Sequence, residues 1–226
     1  YHFAVSQLER FGIEYSFTEG WEVSDFEKEI KSNTKVLYLE TPSNPLLTIT
    51  DIKGVADLAK KKGILSMIDN TFASPINQTP VDFGIDVVVH SATKYMGGHS
   101  DITAGVVAAS KEHIHMVWQT GICFGGSLSE YTVWLLERSL KTMAIRVKAQ
   151  NENAMKMATY LSENKDVDNV YYPGLKTHPG HEVAKSQMTG FGGMLSFELN
   201  PEIDASLFFK ALKLIKPSMS LAGIES

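Results

Sequence analysis

The chain has 226 residues, of which 43% are hydrophobic and 21% are charged, and its formal net charge is −5 at pH 7. This length is enough for one large domain, or for one domain and part of a second. The small negative charge, without a cluster of Lys and Arg, argues against nucleic acid as the main partner, and no apolar run is long enough to span a membrane. We therefore expect a small-molecule ligand.

The single cysteine indicates the redox compartment, and the two chain ends indicate how much of the protein the sequence represents. Cys123 excludes an internal disulfide and is compatible with a reducing compartment such as the cytoplasm. We interpret it as a small buried hydrophobic residue, because no cysteine-nucleophile motif surrounds it. The chain begins at Tyr1 without an initiator Met or a signal-peptide pattern, and we interpret both ends as cuts in a longer protein.

The first 45 residues predict short elements followed by a buried strand and a sharp loop. The predicted elements are a helix at 4–11 capped by Gly12, a strand at 13–17, a helix opened by a capping box at 24–27, and a strand at 36–40. Prolines at 42 and 45 then force a loop, because each proline disfavours helix at the residue before it.

The middle of the chain alternates helical patterns with apolar strands. The predicted elements are a helix with apolar residues at 52, 55, 56 and 59 that ends in three lysines and Gly63, and strands at 64–68, 87–90 and 104–109. Such alternation is typical of an α/β fold with a mainly parallel sheet covered by helices on both faces.

The second half of the chain has a different pattern. A helix without proline or glycine is predicted from its N-cap Ser129 to Asn164, followed by strands at 167–172 and 194–199 and a helix at 205–214. This pattern indicates a separate α+β unit. We therefore divide the chain into domains at 1–145 and 146–226.

Polar residues lie where the predicted parallel strands end, which is where an open sheet binds its ligands. They are Glu40, Asn44, Asp69 and Lys94, with the hydroxyls of Ser91 and Thr93 close to the lysine. Singly, each has an ordinary explanation, since Asp, Asn, Ser and Thr cap turns and helices, and a lysine after a strand is usually solvated.

Together these residues satisfy the joint requirement of a pyridoxal 5'-phosphate site. Such a site needs an amine for a Schiff base, a carboxylate that keeps the pyridine nitrogen protonated, and donors for the phosphate. Lys94, Asp69, and the pair Ser91 and Thr93 meet these three needs in turn.

Several blocks of the sequence then carry a family resemblance. Residues 68–72 and 86–101, which include Ser-Ala-Thr-Lys at 91–94, resemble the signature of the Cys/Met metabolism pyridoxal-phosphate family, whose members include cystathionine γ-synthase, cystathionine γ- and β-lyases and methionine γ-lyase. The further similar blocks are 40–45, 172–175, 178–179 and 220–221. The tetrapeptide alone is weak support, but these blocks in the right order are strong.

The resemblance implies a fold, a cofactor and residue roles. The fold is the aspartate-aminotransferase-like one (fold type I), with a cofactor domain and a smaller C-terminal domain, and family members are generally homotetramers with active sites between paired subunits. The implied roles are Lys94 as the Schiff-base lysine, Asp69 as partner of the pyridine nitrogen, Ser91 and Thr93 as phosphate contacts, Asn44 near the ring hydroxyl, and Glu40 as support from the loop behind the site.

The resemblance also implies that family residues before Tyr1 and after Ser226 complete the site, so we predict little or no turnover by this segment alone. The implied reaction is elimination or replacement at the β- or γ-carbon of a sulfur amino acid. The residue before Ser220 is expected to contact the substrate, and the cystathionine γ-enzymes often have a glutamate at this position, where this chain has Met219. An apolar side chain suits a smaller or less charged substrate, which favours a methionine γ-lyase-like enzyme. Against this, residues 120–127 lack the Lys-Asp pair of some methionine γ-lyases.

Other classes of function stay open at this stage. One alternative is a transferase of the cystathionine γ-synthase or O-acylhomoserine sulfhydrylase type, and another is a cofactor-binding or structural homologue that keeps the fold without catalysis. A nucleotide-binding enzyme is disfavoured because neither phosphate-loop motif occurs. We expect no metal, because the histidine pairs at 113 and 115 and at 178 and 181 lack an evident third ligand.

Overall fold

The computed structural model describes residues 2–215, 217–218 and 220–224. Short 3-10 turns lie at Leu8–Phe11 and Pro80–Phe83. The helices and strands of the described residues, in chain order, are α1 (His2–Gln7), α2 (Val23–Glu29), β1 (Val36–Glu40), α3 (Ile52–Lys62), β2 (Leu65–Asp69), α4 (Ser74–Asn77), β3 (Val87–Ser91), β4 (Gly105–Ala109), α5 (Lys111–Phe124), α6 (Glu130–Ser162), β5 (Val167–Tyr171), α7 (His181–Gln187), β6 (Ser196–Leu199) and α8 (Ala205–Ala211).

The first four strands form one mixed sheet in the order β1-β2-β3-β4. Strands β1, β2 and β3 are parallel, which confirms the predicted mainly parallel sheet, whereas β4 is antiparallel to β3. Glu40 is the register partner of Asp69, and Asp69 is in turn the partner of Val89. The carboxyl ends of the three parallel strands therefore lie side by side at one edge.

Helix α3 covers one face of this sheet. The helix begins at its N-cap Asp51, whose carboxylate accepts a hydrogen bond from Gly54 N at 3.0 Å, and it ends at Gly63 with φ +67°. Its apolar side packs against a cluster of buried strand residues, namely Leu37, Leu39, Ile68 and Val88. Burial of one such side chain stabilises the fold by about 1.5–3 kcal/mol.

The opposite face of β1 is open within the described residues. Val36 is 44% exposed and Tyr38 is 52% exposed, although both belong to an apolar strand. For this part of the sheet, cover by helices on the second face stays a prediction.

Three predictions from the sequence are corrected. Residues 13–17 form no strand, because they pair with none of the strands that the structure describes. Helix α2 begins after its N-cap Glu22, and the capping-box partner is Asp25, whose carboxylate accepts from Glu22 N at 3.2 Å. Cys123 is exposed rather than buried, since α5 has no buried residue.

The second half contains one long helix and a small sheet. Helix α6 begins after Ser129, whose hydroxyl accepts from Thr132 N at 3.3 Å, as predicted. Strands β5 and β6 pair antiparallel. The boundary proposed between residues 145 and 146 falls within α6, and the division into domains stays a prediction.

Candidate active site

A chain of hydrogen bonds joins the carboxyl ends of β2 and β3. Asp69 Oδ1 accepts from Thr71 N at 2.9 Å, and Thr71 Oγ1 accepts from Ser91 N at 2.8 Å. Ser91 O then accepts from Lys94 N at 3.1 Å. The structure thus connects the predicted ring-nitrogen carboxylate with the turn that carries the predicted Schiff-base lysine.

The amine of Lys94 meets a residue from the far end of the chain. Lys94 is half-buried, and its Nζ donates to Ser220 Oγ at 3.1 Å across 126 positions of sequence. The predicted cofactor lysine and the predicted substrate residue Ser220 therefore come together. Met219, the other predicted substrate residue, lies outside the described residues.

Glu40 connects the end of β1 to the proline-rich loop. Its Oε1 accepts from Asn44 N at 3.3 Å, so the predicted supporting carboxylate and the predicted ring neighbour are in contact through the loop backbone. Partial withdrawal of its carboxyl from water, together with the nearby charge of Asp69, raises the pKa of Glu40.

The same carboxylates affect two neighbouring rings. The pKa of Tyr38 is raised, first by partial desolvation of the phenol and then by the charges of Asp69 and Glu40. Burial lowers the pKa of His90, and Asp69 opposes that shift. This edge of the sheet therefore has a negative potential that favours a cationic group such as a protonated pyridine nitrogen.

The two predicted phosphate-binding hydroxyls differ in their availability. Ser91 Oγ has no hydrogen-bond partner among the described residues, so its O–H is free to donate to a ligand. Thr93 Oγ1 accepts from Ala104 N at 3.0 Å and donates to Ala104 O at 3.3 Å. A phosphate contact of Thr93 stays a prediction, and it requires the hydroxyl to turn away from this long bond.

A buried amide network, not foreseen from the sequence, lies behind these loops. Gln78 Nε2 donates to Thr41 O at 2.9 Å and to Asn70 Oδ1 at 2.8 Å. Gln187 Nε2 donates to Gln78 Oε1 at 3.4 Å and to Thr50 O at 3.1 Å. Because Thr41 follows Glu40 and Asn70 follows Asp69, the network fixes the loops just beyond both carboxylates.

The chemistry of this donor set fits pyridoxal phosphate. The amine of Lys94, the carboxylate of Asp69 and the free hydroxyl of Ser91 are the kinds of group that the cofactor requires. Within the described residues, no group of three or more His, Cys, Asp or Glu side chains is arranged to hold a metal ion. None of the helices described combines the length and apolar character needed to cross a membrane.

The chain is similar to known proteins over its whole length. A family model described as Cys/Met metabolism PLP-dependent enzyme matches residues 1–226. The chain is 46% identical to the cystathionine gamma-lyase of Bacillus subtilis (strain 168) and 41% identical to the L-methionine gamma-lyase of Fusobacterium nucleatum subsp. polymorphum. These matches cover 100% and 97% of this chain, but 60% and 56% of the respective relatives.

Solved structures also include a protein with nearly the same fold. The crystal structure of cystathionine gamma-lyase from Lactobacillus plantarum complexed with L-serine superimposes with a TM-score of 0.96 at 41% identity, over 99% of this chain and 59% of that one. This similarity supports the predicted fold type I architecture. The chain, which spans about 60% of the length of its curated relative from Bacillus subtilis, therefore belongs to the family of Cys/Met metabolism PLP-dependent enzymes.

Proposed function

We propose that this chain provides the lysine and the ring-nitrogen carboxylate of a pyridoxal-phosphate-dependent carbon–sulfur lyase that acts on sulfur amino acids. The observation that carries the proposal is the hydrogen-bonded path from Asp69 through Thr71 and Ser91 to Lys94. The similarity to cystathionine and methionine lyases supports the same activity.

The roles of the residues follow from their positions. The bound cofactor supplies an electron sink for bond cleavage next to the α-carbon. Lys94 Nζ would hold the cofactor, and as a free amine Nζ would accept and return protons during the reaction. Asp69 keeps the proton on the ring nitrogen. The free hydroxyl of Ser91 would donate to the phosphate, and Ser220, whose Oγ accepts from Lys94 Nζ at 3.1 Å, would orient that amine.

Replacement of Lys94 tests the proposal directly. In the full-length protein supplied with pyridoxal phosphate, borohydride should fix the cofactor covalently to wild type and to Lys141→Ala, but not to Lys94→Ala. Lys141 is a suitable control because its side chain is 72% exposed on α6. Fixation of the cofactor in Lys94→Ala would contradict the assignment, and colourless wild-type protein would favour a homologue that does not bind the cofactor.

The substrate class rests on the relatives, which include both cystathionine and methionine lyases. We propose elimination as the main reaction, with a transferase of the cystathionine γ-synthase or sulfhydrylase type as the alternative. Assays with cystathionine, methionine and homocysteine, and with O-acylhomoserines plus an added thiol, distinguish the two. A lyase releases an oxoacid, whereas a transferase joins the added thiol to the γ-carbon and releases the acyl group as a carboxylate.

We propose that the enzyme is a homo-oligomer, in keeping with the tetramers of its family. Exposed apolar side chains on α5 support a protein contact there, namely Met116, Val117, Trp118, Ile122 and Phe124. Sedimentation of the full-length protein tests this, and a monomer at micromolar concentration contradicts it. The single free cysteine is in keeping with a cytoplasmic location.

A further inference from the structure

We propose that Arg146 of α6 is a positioning residue that clamps the turn after Lys94 and so sets where the lysine amine meets the cofactor. The inference rests on the proposed function, because it concerns the residue that holds the cofactor. Arg146 lies 52 positions after Lys94 and belongs to none of the sequence blocks that carry the family resemblance.

The guanidinium of Arg146 binds the two carbonyls that directly follow Lys94. Nη1 donates to Tyr95 O at 2.8 Å, and Nη2 lies 3.5 Å from Met96 O. The planar group is itself fixed to its own helix, since Nη2 donates to Ser139 O at 3.0 Å and Nε donates to Thr142 Oγ1 at 3.2 Å. A rigid fork of donors thus ties the turn to α6.

The turn is shaped to receive this fork. Gly98 N donates to Lys94 O at 2.7 Å, and Gly98 has φ +70°, a conformation that glycine adopts without strain. A Cβ atom at Gly98 would overlap Nη1 and Cζ of Arg146. The absence of a side chain at Gly98 is therefore required both by the backbone and by the approach of Arg146.

The charge of Arg146 has no counter-ion within the described residues. All of its hydrogen bonds go to carbonyl and hydroxyl oxygens, and burial lowers its pKa. A partly buried cation without an acid partner is costly. Arg146 instead offers several N–H donors in one plane, so that a single side chain holds both the turn after Lys94 and its own helix.

A set of variants of the full-length, cofactor-loaded protein tests this role. Arg146→Met removes the fork, Arg146→Lys keeps the charge with fewer donors, and Gly98→Ala displaces the guanidinium from the other side of the same contact. Arg138→Met is the matched control, because Arg138 is exposed on the same helix. The measurements are kcat and KM, the circular dichroism of the bound cofactor, and amide hydrogen exchange at Gly98.

We expect Arg146→Met to lower kcat by about tenfold to a hundredfold with little change in KM, the loss typical of a reacting group displaced by about 1 Å. The circular dichroism of the cofactor should change, and exchange at Gly98 should become faster. Gly98→Ala should have the same effects, Arg146→Lys should recover part of kcat, and Arg138→Met should match wild type.

Several outcomes would overturn the inference. The first is an Arg146→Met variant with the kcat and the cofactor dichroism of wild type. The second is a loss of kcat in Arg146→Met that is not recovered by Arg146→Lys and is not reproduced by Gly98→Ala. If Arg146→Met does not fold, then Gly98→Ala and Arg146→Lys decide by the same measurements. Wild-type protein without a borohydride-fixed cofactor overturns the proposed function and this inference together, whereas unchanged variants of a cofactor-bearing protein overturn only the inference.

Discussion

Replacing Gln78 by leucine should reveal how strongly the buried amide network holds the site together. Gln78 is 2% exposed, and its amide nitrogen satisfies two buried acceptors, Thr41 O and Asn70 Oδ1. Leucine fills similar space but donates no hydrogen bond. Both acceptors are then left without this donor, in a region from which water is excluded.

The expected cost follows from those two acceptors. A buried polar atom left unsatisfied costs about 1–3 kcal/mol, so Gln78→Leu should lower the free energy of unfolding by roughly 2–6 kcal/mol. This is a large share of the total stability of about 5–15 kcal/mol that is typical of a native protein. The loops after Glu40 and Asp69 should loosen with it, so cofactor retention should also fall.

Urea unfolding of wild type, Gln78→Leu and the control Asn153→Leu gives the measurement, and only Gln78→Leu should lower the midpoint, at an unchanged m-value. Asn153 is exposed on α6, and its replacement should change stability by less than about 0.5 kcal/mol. A double-mutant cycle should show stronger coupling of Gln78 to Asn70, at 2.8 Å, than to Gln187, at 3.4 Å. A loss below about 1 kcal/mol, or equal coupling to both partners, would refute this reasoning.

Three further substitutions probe the charged edge of the sheet. Ser91→Ala should weaken cofactor binding by about tenfold to a hundredfold, measured by fluorescence titration, since a hydrogen bond to a charged phosphate contributes about 1.5–3 kcal/mol. The raised pKa of Glu40 means that its ionised form is unfavourable in the folded state, so Glu40→Gln should gain stability relative to wild type at neutral pH but not at pH about 4 in urea unfolding. The lowered pKa of His90 means that the folded state favours the neutral imidazole, so its contribution to stability is present above pH 6.5 and is lost as the pH falls below that value. On thermal unfolding, wild type should therefore lose more stability than His90→Gln as the pH falls to about 5.

Local patterns predicted those elements that a continuous apolar run or a capping residue marks in the sequence. The apolar run at Val36–Glu40 and the capped helix after Ser129 are both found where expected. Residues 13–17 have the composition of a strand, but a strand also needs a neighbour for its backbone groups, and composition does not show whether one is present. The direction of β4 was likewise not predictable, because the apolar pattern of a strand is the same in both directions.

The site was predictable where its chemistry is distinctive and unpredictable where it depends on distant contacts. Lys94 and Asp69 stand at strand ends, so the order of elements already suggests that they meet. Gln78 and Gln187 lie 109 positions apart and resemble ordinary surface amides in the sequence. Arg146 is equally inconspicuous on a long helix with other charges, and only the fold brings it to the turn after Lys94.

The antiparallel pairing of β3 with β4 makes residues 92–104 a hairpin connection, closed at its base by the pair Ser91 and Gly105. Lys94 lies in the first arm of this connection, close to the strand that anchors it, whereas Ser100 lies at its exposed tip with φ +57°. Exposed tips accept inserted residues more readily than anchored arms do. A tag or a short peptide placed after Ser100 should therefore lengthen the loop without moving the lysine, which makes this tip a practical attachment point for labels that report on the site.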